Sequence, residues 1–182
     1  SNVDWTTAGD YMDKNSVEID AYAGWATDLP FWDLGFDIGV LQFYYPGNDT
    51  AGAVETDATE IYFGFSKDWA DGAFSTSVTN YVVVSDDAWG FSDMDGEMYH
   101  DLTVDVPLGS SPVTLSGHVG HQTFGDSTYD YTDWKVNVDY AFNDNFSAGA
   151  FYTDTDQDKA AWTVGTTYLG DSTVGAYLSA GF

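Results

Sequence analysis

Apolar and polar side chains take turns along most of this chain. Val17, Ile19, Ala21, Ala23 and Trp25 fall on one side of an extended segment, and Glu18, Asp20, Tyr22 and Gly24 on the other, because strand side chains point alternately to opposite faces. The alternation returns in Leu34 to Val40, Thr59 to Phe65, Phe74 to Val82, Met98 to Leu108, Val113 to Val119, Trp134 to Phe142, Phe146 to Tyr152, Ala160 to Tyr168 and Val174 to Phe182. A shorter instance around Val3 and Trp5 precedes them. Turn formers separate the segments, among them Tyr45-Pro46-Gly47-Asn48-Asp49, Asp71-Gly72, Gly109-Ser110-Ser111-Pro112, Asn143-Asp144-Asn145 and Gly170-Asp171. No segment has helical periodicity. The pattern predicts an all-β meander of about eleven strands joined as successive hairpins, in one domain spanning residues 1–182.

Alternation alone fits a soluble sandwich as well as a membrane barrel, so the contents of the two faces decide. Trp25, Trp134, Tyr140, Phe142, Trp162, Tyr168 and Phe182 sit near the ends of the apolar faces, where aromatic girdles meet a bilayer interface. The polar face repeats glycine (Gly24, Gly35, Gly39, Gly64, Gly120, Gly149, Gly165, Gly175) beside Tyr22, Tyr62, Tyr99, Phe151 and Tyr177, which suits the crowded inside of a narrow, curved sheet. The last stretch, Thr173 to Phe182, ends its apolar face on the terminal aromatic residue, as the assembly signal of outer-membrane barrels does. The expected fold is an antiparallel up-and-down transmembrane β-barrel of about 10–12 strands in the bacterial outer membrane.

Charge narrows the partners. There are 30 acidic residues against 4 basic ones, a formal charge of −26, so no basic patch exists to displace the counterions of nucleic acid. Composition by itself favours a solvated acidic surface; the sharper expectation is a lumen and loops that attract cations. Absence of cysteine removes disulfides, thiol nucleophiles and thiolate metal sites. No apolar run is long enough for a membrane-spanning helix, and the negative mean hydropathy carries no weight against a barrel, in which only alternate residues need be apolar.

Several stretches resemble the TorF-type porin family of small bacterial outer-membrane proteins. They are Ser1-Asn2-Val3-Asp4-Trp5, the Val17 to Trp25 strand with its Ala-Tyr-Ala-Gly-Trp ending, Tyr44-Tyr45-Pro46-Gly47, Tyr131-Thr132-Asp133-Trp134-Lys135-Val136, and Tyr152-Thr153-Asp154-Thr155-Asp156. They are short, run in the family's order and spread over most of the chain. The resemblance implies an outer-membrane barrel with pore function. Two departures stand out: the family's opening pair of strands, with an aromatic-Arg-Gly segment, is missing, and a strand is added after the usual last one.

Candidate chemistry is sparse. Asp154, Asp156 and Asp158 have calcium-loop spacing, but Lys159 stands where an EF-hand requires glycine and no twelfth-position glutamate follows; the expectation is a solvated acidic loop with at most weak divalent binding. Ser116 shares a face with His118, the pairing an outer-membrane hydrolase would need, whereas a lone inward histidine is more often a hydrogen-bonded wall residue; His100 and His121 fall on the outward face. No enzyme activity and no cofactor are expected. The strongest functional feature is the inward acidic set Glu18, Asp20, Asp37, Glu60, Asp101, Asp105 and Asp139, with Lys135 as its one clear base. It predicts a narrow cation-preferring pore; the alternative is a non-conducting structural or surface-interaction barrel.

The strand count conflicts with itself. Long connections alternate with short ones, and about eleven strands would leave Phe182 at the end of the long connections, against its reading as an assembly signal. The expectation is therefore that strands are missing from the amino end, or that open edges pair with a neighbouring copy in an oligomer or filament, since unpaired edges are untenable in lipid.

Overall fold

The computed structural model describes residues 12–13, 17–49 and 54–181. In chain order its strands are β1 (Met12–Asp13), β2 (Ile19–Leu29), β3 (Leu34–Tyr44), β4 (Asn48–Asp49), β5 (Ala58–Trp69), β6 (Phe74–Val83), β7 (Met98–Pro107), β8 (Val113–Gln122), β9 (Tyr131–Ala141), β10 (Phe146–Thr155), β11 (Thr163–Val164), β12 (Thr167–Tyr168) and β13 (Thr173–Ala180). Nine of them form one antiparallel sheet in the order β13-β10-β9-β8-β7-β6-β5-β3-β2, so every long strand pairs with its neighbours along the chain. The two-residue strands pair separately, β1 with β4 and β11 with β12. Among the described residues the only helical element is a single 3-10 turn, Ser127–Tyr129, whose Asp126 carboxylate accepts from the Thr128 amide at 3.0 Å.

Connections alternate in length. Residues 30–33, 70–73, 108–112 and 142–145 make short turns at one end of the sheet, and the link from β3 to β5 and residues 84–97, 123–130 and 156–172 make long connections at the other. Asp71-Gly72 forms the expected reversal: Gly72 has φ +84° and its amide donates to the Trp69 carbonyl at 3.1 Å.

The strand expected over Ala160 to Tyr168 does not form. Its alternation is real, but Trp162 is drawn into a cluster of loop aromatics with Phe91, Phe124, Tyr129 and Tyr131, and its indole N–H donates to the Tyr129 carbonyl at 3.2 Å. Gly165, at φ +62°, reverses the chain between β11 and β12. The strand expected around Val3 and Trp5 lies outside the described residues, as does Phe182. Among the described residues there are thus nine long strands. Without the Ala160–Tyr168 strand β13 finishes beside the short turns, its Gly181 amide donating to the Asn145 carbonyl at 2.9 Å, while β2 begins beside the long connections.

Register sorts the side chains into two faces. One carries Ile61, Phe65, Val78, Leu102, Val119, Val136 and Val138, and the other Glu60, Asp101, Ser116, His118, Asn137 and Asp139. The apolar face is the exposed one: Val136 and Val138 are 57% and 47% exposed, whereas Asn137 between them is 9% exposed. The polar face is crowded by large rings set against glycines. A Cβ on Gly120 would lie 2.7 Å from Tyr99 Cε2 and closer still to its Cζ and Oη, and one on Gly149 would overlap Tyr177.

Apolar burial is confined to the long-connection end. Ala58, Val83, Ala88, Met94 and Phe124 form the cluster of buried hydrophobics, with Phe43, Trp89, Phe91 and Trp162 packed on it, so the loops fold over that end of the polar face. The edge strands β2 and β13 have no partner across the opening among the described residues, and β2 exposes Tyr22 and Trp25 on opposite faces. In an antiparallel sheet of nine strands the two edges run in the same direction.

Candidate functional site

Clefts line the polar face. One of about 480 Å³ lies among Asp28, Asp37, Ser66 and Ser77 near the short turns, another of about 400 Å³ among Asp105, Ser116, His118 and Lys135, and a third of about 360 Å³ beneath the loop cluster beside Glu60 and Asp101. Period-two placement on adjacent strands produces this, because same-face residues at matched register stand side by side.

At its centre, His118 on β8 lies between two carboxylates. Its Nδ1 is 2.5 Å from Asp101 Oδ2 on β7, and its Nε2 is 2.7 Å from Asp133 Oδ1 on β9. The Tyr99 hydroxyl donates to Asp133 Oδ2 at 3.1 Å and stands 3.2 Å from His118 Nε2; Thr103 Oγ1 donates to the remaining oxygen of Asp101 at 3.1 Å. Each ring nitrogen thus lies within hydrogen-bond distance of a carboxylate oxygen from a different neighbouring strand. Ser116, the other member of the expected hydrolase pair, donates instead to Asp105 at 2.5 Å. Ser116 and His118 share no hydrogen bond among the described residues.

The other expected wall residues fall on this face with different neighbours. Asp139 accepts from the Tyr177 hydroxyl and from Asn137 Nδ2. Lys135 lies across the strand pair from His118 and sets its ammonium 4.6 Å from the Phe151 ring centroid. Glu60 is 4% exposed. Asp20 lies exposed on the edge strand β2. Glu18 precedes β2 and accepts from the Tyr45 hydroxyl at 2.6 Å; burial, then that hydrogen bond, push the Tyr45 phenol well above its ordinary range.

Of the expected girdle, Trp25, Trp134, Tyr140 and Phe142 project from the apolar side, Trp25 and Phe142 near the short turns and Trp134 near the long connections. Trp162 and Tyr168 do not: Trp162 belongs to the loop cluster, and Tyr168 donates to the Gln157 carbonyl at 2.8 Å beneath the Lys159 ammonium. The short-turn end carries further rings outside the expected girdle, Phe31, Trp32 and the stacked pair Trp69 and Phe74.

The three loop aspartates do not converge. Asp154 accepts from the Tyr152 hydroxyl at 2.7 Å, Asp156 from the Thr132 amide at 2.6 Å and Asp158 from the Ala160 amide at 2.8 Å, each bonding to its own surroundings. Among the described residues no three His, Cys, Asp or Glu side chains are grouped as a metal site.

Asp133 is the wall residue that alternation should have supplied and did not. It shares its face with Lys135 and Asn137 but lies beyond Trp134, at the start of β9. No curated protein and no solved structure matches the chain. A family model described as a bacterial protein of unknown function (Gcw_chp) matches residues 1–182, and the chain belongs to that family.

Proposed function

We propose that this protein forms a β-barrel in the bacterial outer membrane and serves there as a narrow pore that prefers cations. The observation that carries the reading is the inversion of its faces: aliphatic side chains such as Ile61, Leu115 and Val138 are exposed while Glu60, Gln122 and Asn137 are buried. A soluble sheet protein places these groups the other way round, and a membrane barrel needs them as they are here. The resemblance to TorF-type porins points the same way. Along the inner face, Asp37, Glu60, Asp101, Asp105, Asp133 and Asp139 outnumber Lys135 and one histidine, a distribution that concentrates cations and repels anions.

Closure that is antiparallel throughout requires an odd number of further strands between β13 and β2, because the two edges run the same way. A second copy in the same membrane orientation would offer its edge in parallel, which counts against simple edge-to-edge stacking of copies.

A non-conducting structural barrel is the second reading. It is favoured by the rings that cross the inner face, Tyr62 to Tyr81 at 5.9 Å and Tyr81 to Tyr99 at 6.2 Å between centroids, and by the aromatic cluster over one end. Planar-bilayer recording under a KCl gradient separates the two. The pore reading requires discrete conductance with a cation-selective reversal potential that shrinks toward 1 M salt, where screening acts within about 3 Å. Absence of conductance from correctly folded protein supports the structural reading.

A further inference from the structure

Glu60 is the buried carboxylic acid among the described residues. Its side chain is 4% exposed, it has no hydrogen-bond or ion-pair partner among the described residues, and it borders the cavity of about 360 Å³ beneath the loop cluster. Burying a carboxylate without a counter-charge is costly. The lysine on this face, Lys135, is engaged with Phe151, and the other carboxylate at the cavity, Asp101, already contacts His118 and Thr103. Leu41 and Gln122 complete one side of the lining, the Gln122 amide donating to the Thr123 carbonyl at 2.8 Å, and the rest is aromatic: Tyr81 and Tyr99 stand side by side at 6.2 Å, Tyr131 joins them from β9, and Trp89 reaches in from the loop, braced edge-on by Phe43 at 5.6 Å.

We propose that this cavity binds a small organic cation, an alkylated ammonium held by Glu60 and by the faces of Tyr81, Trp89, Tyr99 and Tyr131. The proposal rests on the cation-preferring reading of the inner face and adds a ligand to it. Aromatic faces attract a cation through their quadrupole, most strongly where water is scarce, and a buried carboxylate supplies the compensating charge. Hard metal ions are poorly served by the same lining. They take several oxygen ligands, and here Asp101 is already engaged by His118 and Thr103, which leaves Glu60 and the Gln122 amide among rings. The volume is that of a small-molecule pocket.

The test uses the folded protein in detergent micelles and follows tryptophan fluorescence during titration with tetramethylammonium chloride, against KCl and CaCl2 at matched ionic strength. A saturating change specific to tetramethylammonium is expected, with the Kd raised about tenfold or more in Glu60→Gln through loss of one desolvated charge partner. Glu60→Asp, which keeps the charge, should retain part of the affinity, and Asp144→Asn, in an exposed short turn at the other end of the sheet, all of it. Circular dichroism of each variant establishes that it is folded. No saturation in the parent, an equal response to potassium or calcium, or an unchanged Kd in folded Glu60→Gln overturns the site. Bilayer recording is read separately: conductance without tetramethylammonium binding removes this site and leaves the pore, whereas binding without conductance keeps the site and removes the pore.

Discussion

Glu60 and Ile61 are consecutive residues of β5, and the carboxylate is the buried one, 4% exposed against 41% for the isoleucine. Neither value is unusual for a position in a sheet; their assignment to these side chains is. Water would favour the reverse, at about 25 cal/mol for each Å² of apolar surface left exposed. A lipid environment around the apolar face removes that penalty.

A lysine placed on the apolar face should therefore be costly in lipid. Val138→Lys is expected to destabilise the folded protein by about 2–4 kcal/mol in phosphatidylcholine vesicles if residue 138 lies near the midplane, measured by reversible denaturant unfolding. A soluble β protein would tolerate the change at a half-exposed position within about 0.5 kcal/mol. The smaller value would count against the membrane reading.

Gly120 is where the inner wall has no room. A side chain there meets the ring of Tyr99, which is tied to Asp133 and His118. Gly120→Ala should cost about 1–3 kcal/mol by overpacking, and Tyr99→Leu in the same chain should recover part of that loss. Equal, additive losses in the double variant would show that the two positions are not in contact.

Much of this arrangement is legible from period-two alternation. It separates Val136 and Val138 from Lys135, Asn137 and Asp139, and it puts Tyr99 and Gly120 on one face. The alternation fails at Ala160 to Tyr168, because what decides there is non-local: Trp162 finds the rings of Phe91, Phe124 and Tyr129, brought by two other loops, and a hydrogen bond to a distant carbonyl. Alternation also says nothing about which cross-strand neighbours meet. His118 reads alone as an inward wall histidine; only register shows that Asp101 and Asp133 flank it. Glu60 reads as one acid among several until its burial separates it from the others.

Asp37 and Asp105 stand at two of the clefts and are the acids to neutralise for selectivity. The double variant Asp37→Asn/Asp105→Asn should shift the reversal potential in a KCl gradient toward zero while leaving unfolding little changed. An unaltered potential would mean that ions do not pass this wall.

Tyr45 supplies a pH effect outside the strands. Its phenol is raised by burial and by its hydrogen bond to Glu18, so the neutral form is favoured in the folded state. The resulting stability is complete below the ordinary tyrosine range near 10 and is lost as the pH climbs above it, where the unfolded chain ionises and the folded one does not. Tyr45→Phe should remove part of the alkaline fall in unfolding free energy. An identical alkaline profile for the two proteins would contradict this.

The exposure of alternate side chains to lipid and to water can be read directly, since the chain has no cysteine and a single introduced one labels cleanly. Nitroxide labels at 135, 136, 137, 138 and 139 of the folded protein in vesicles would be assayed for collision with oxygen, which partitions into lipid, and with a water-soluble nickel complex. The inverted-face account predicts oxygen access at 136 and 138, with lower oxygen access and greater nickel access at 135, 137 and 139. Uniform access along β9, or nickel access at 136 and 138, would contradict it.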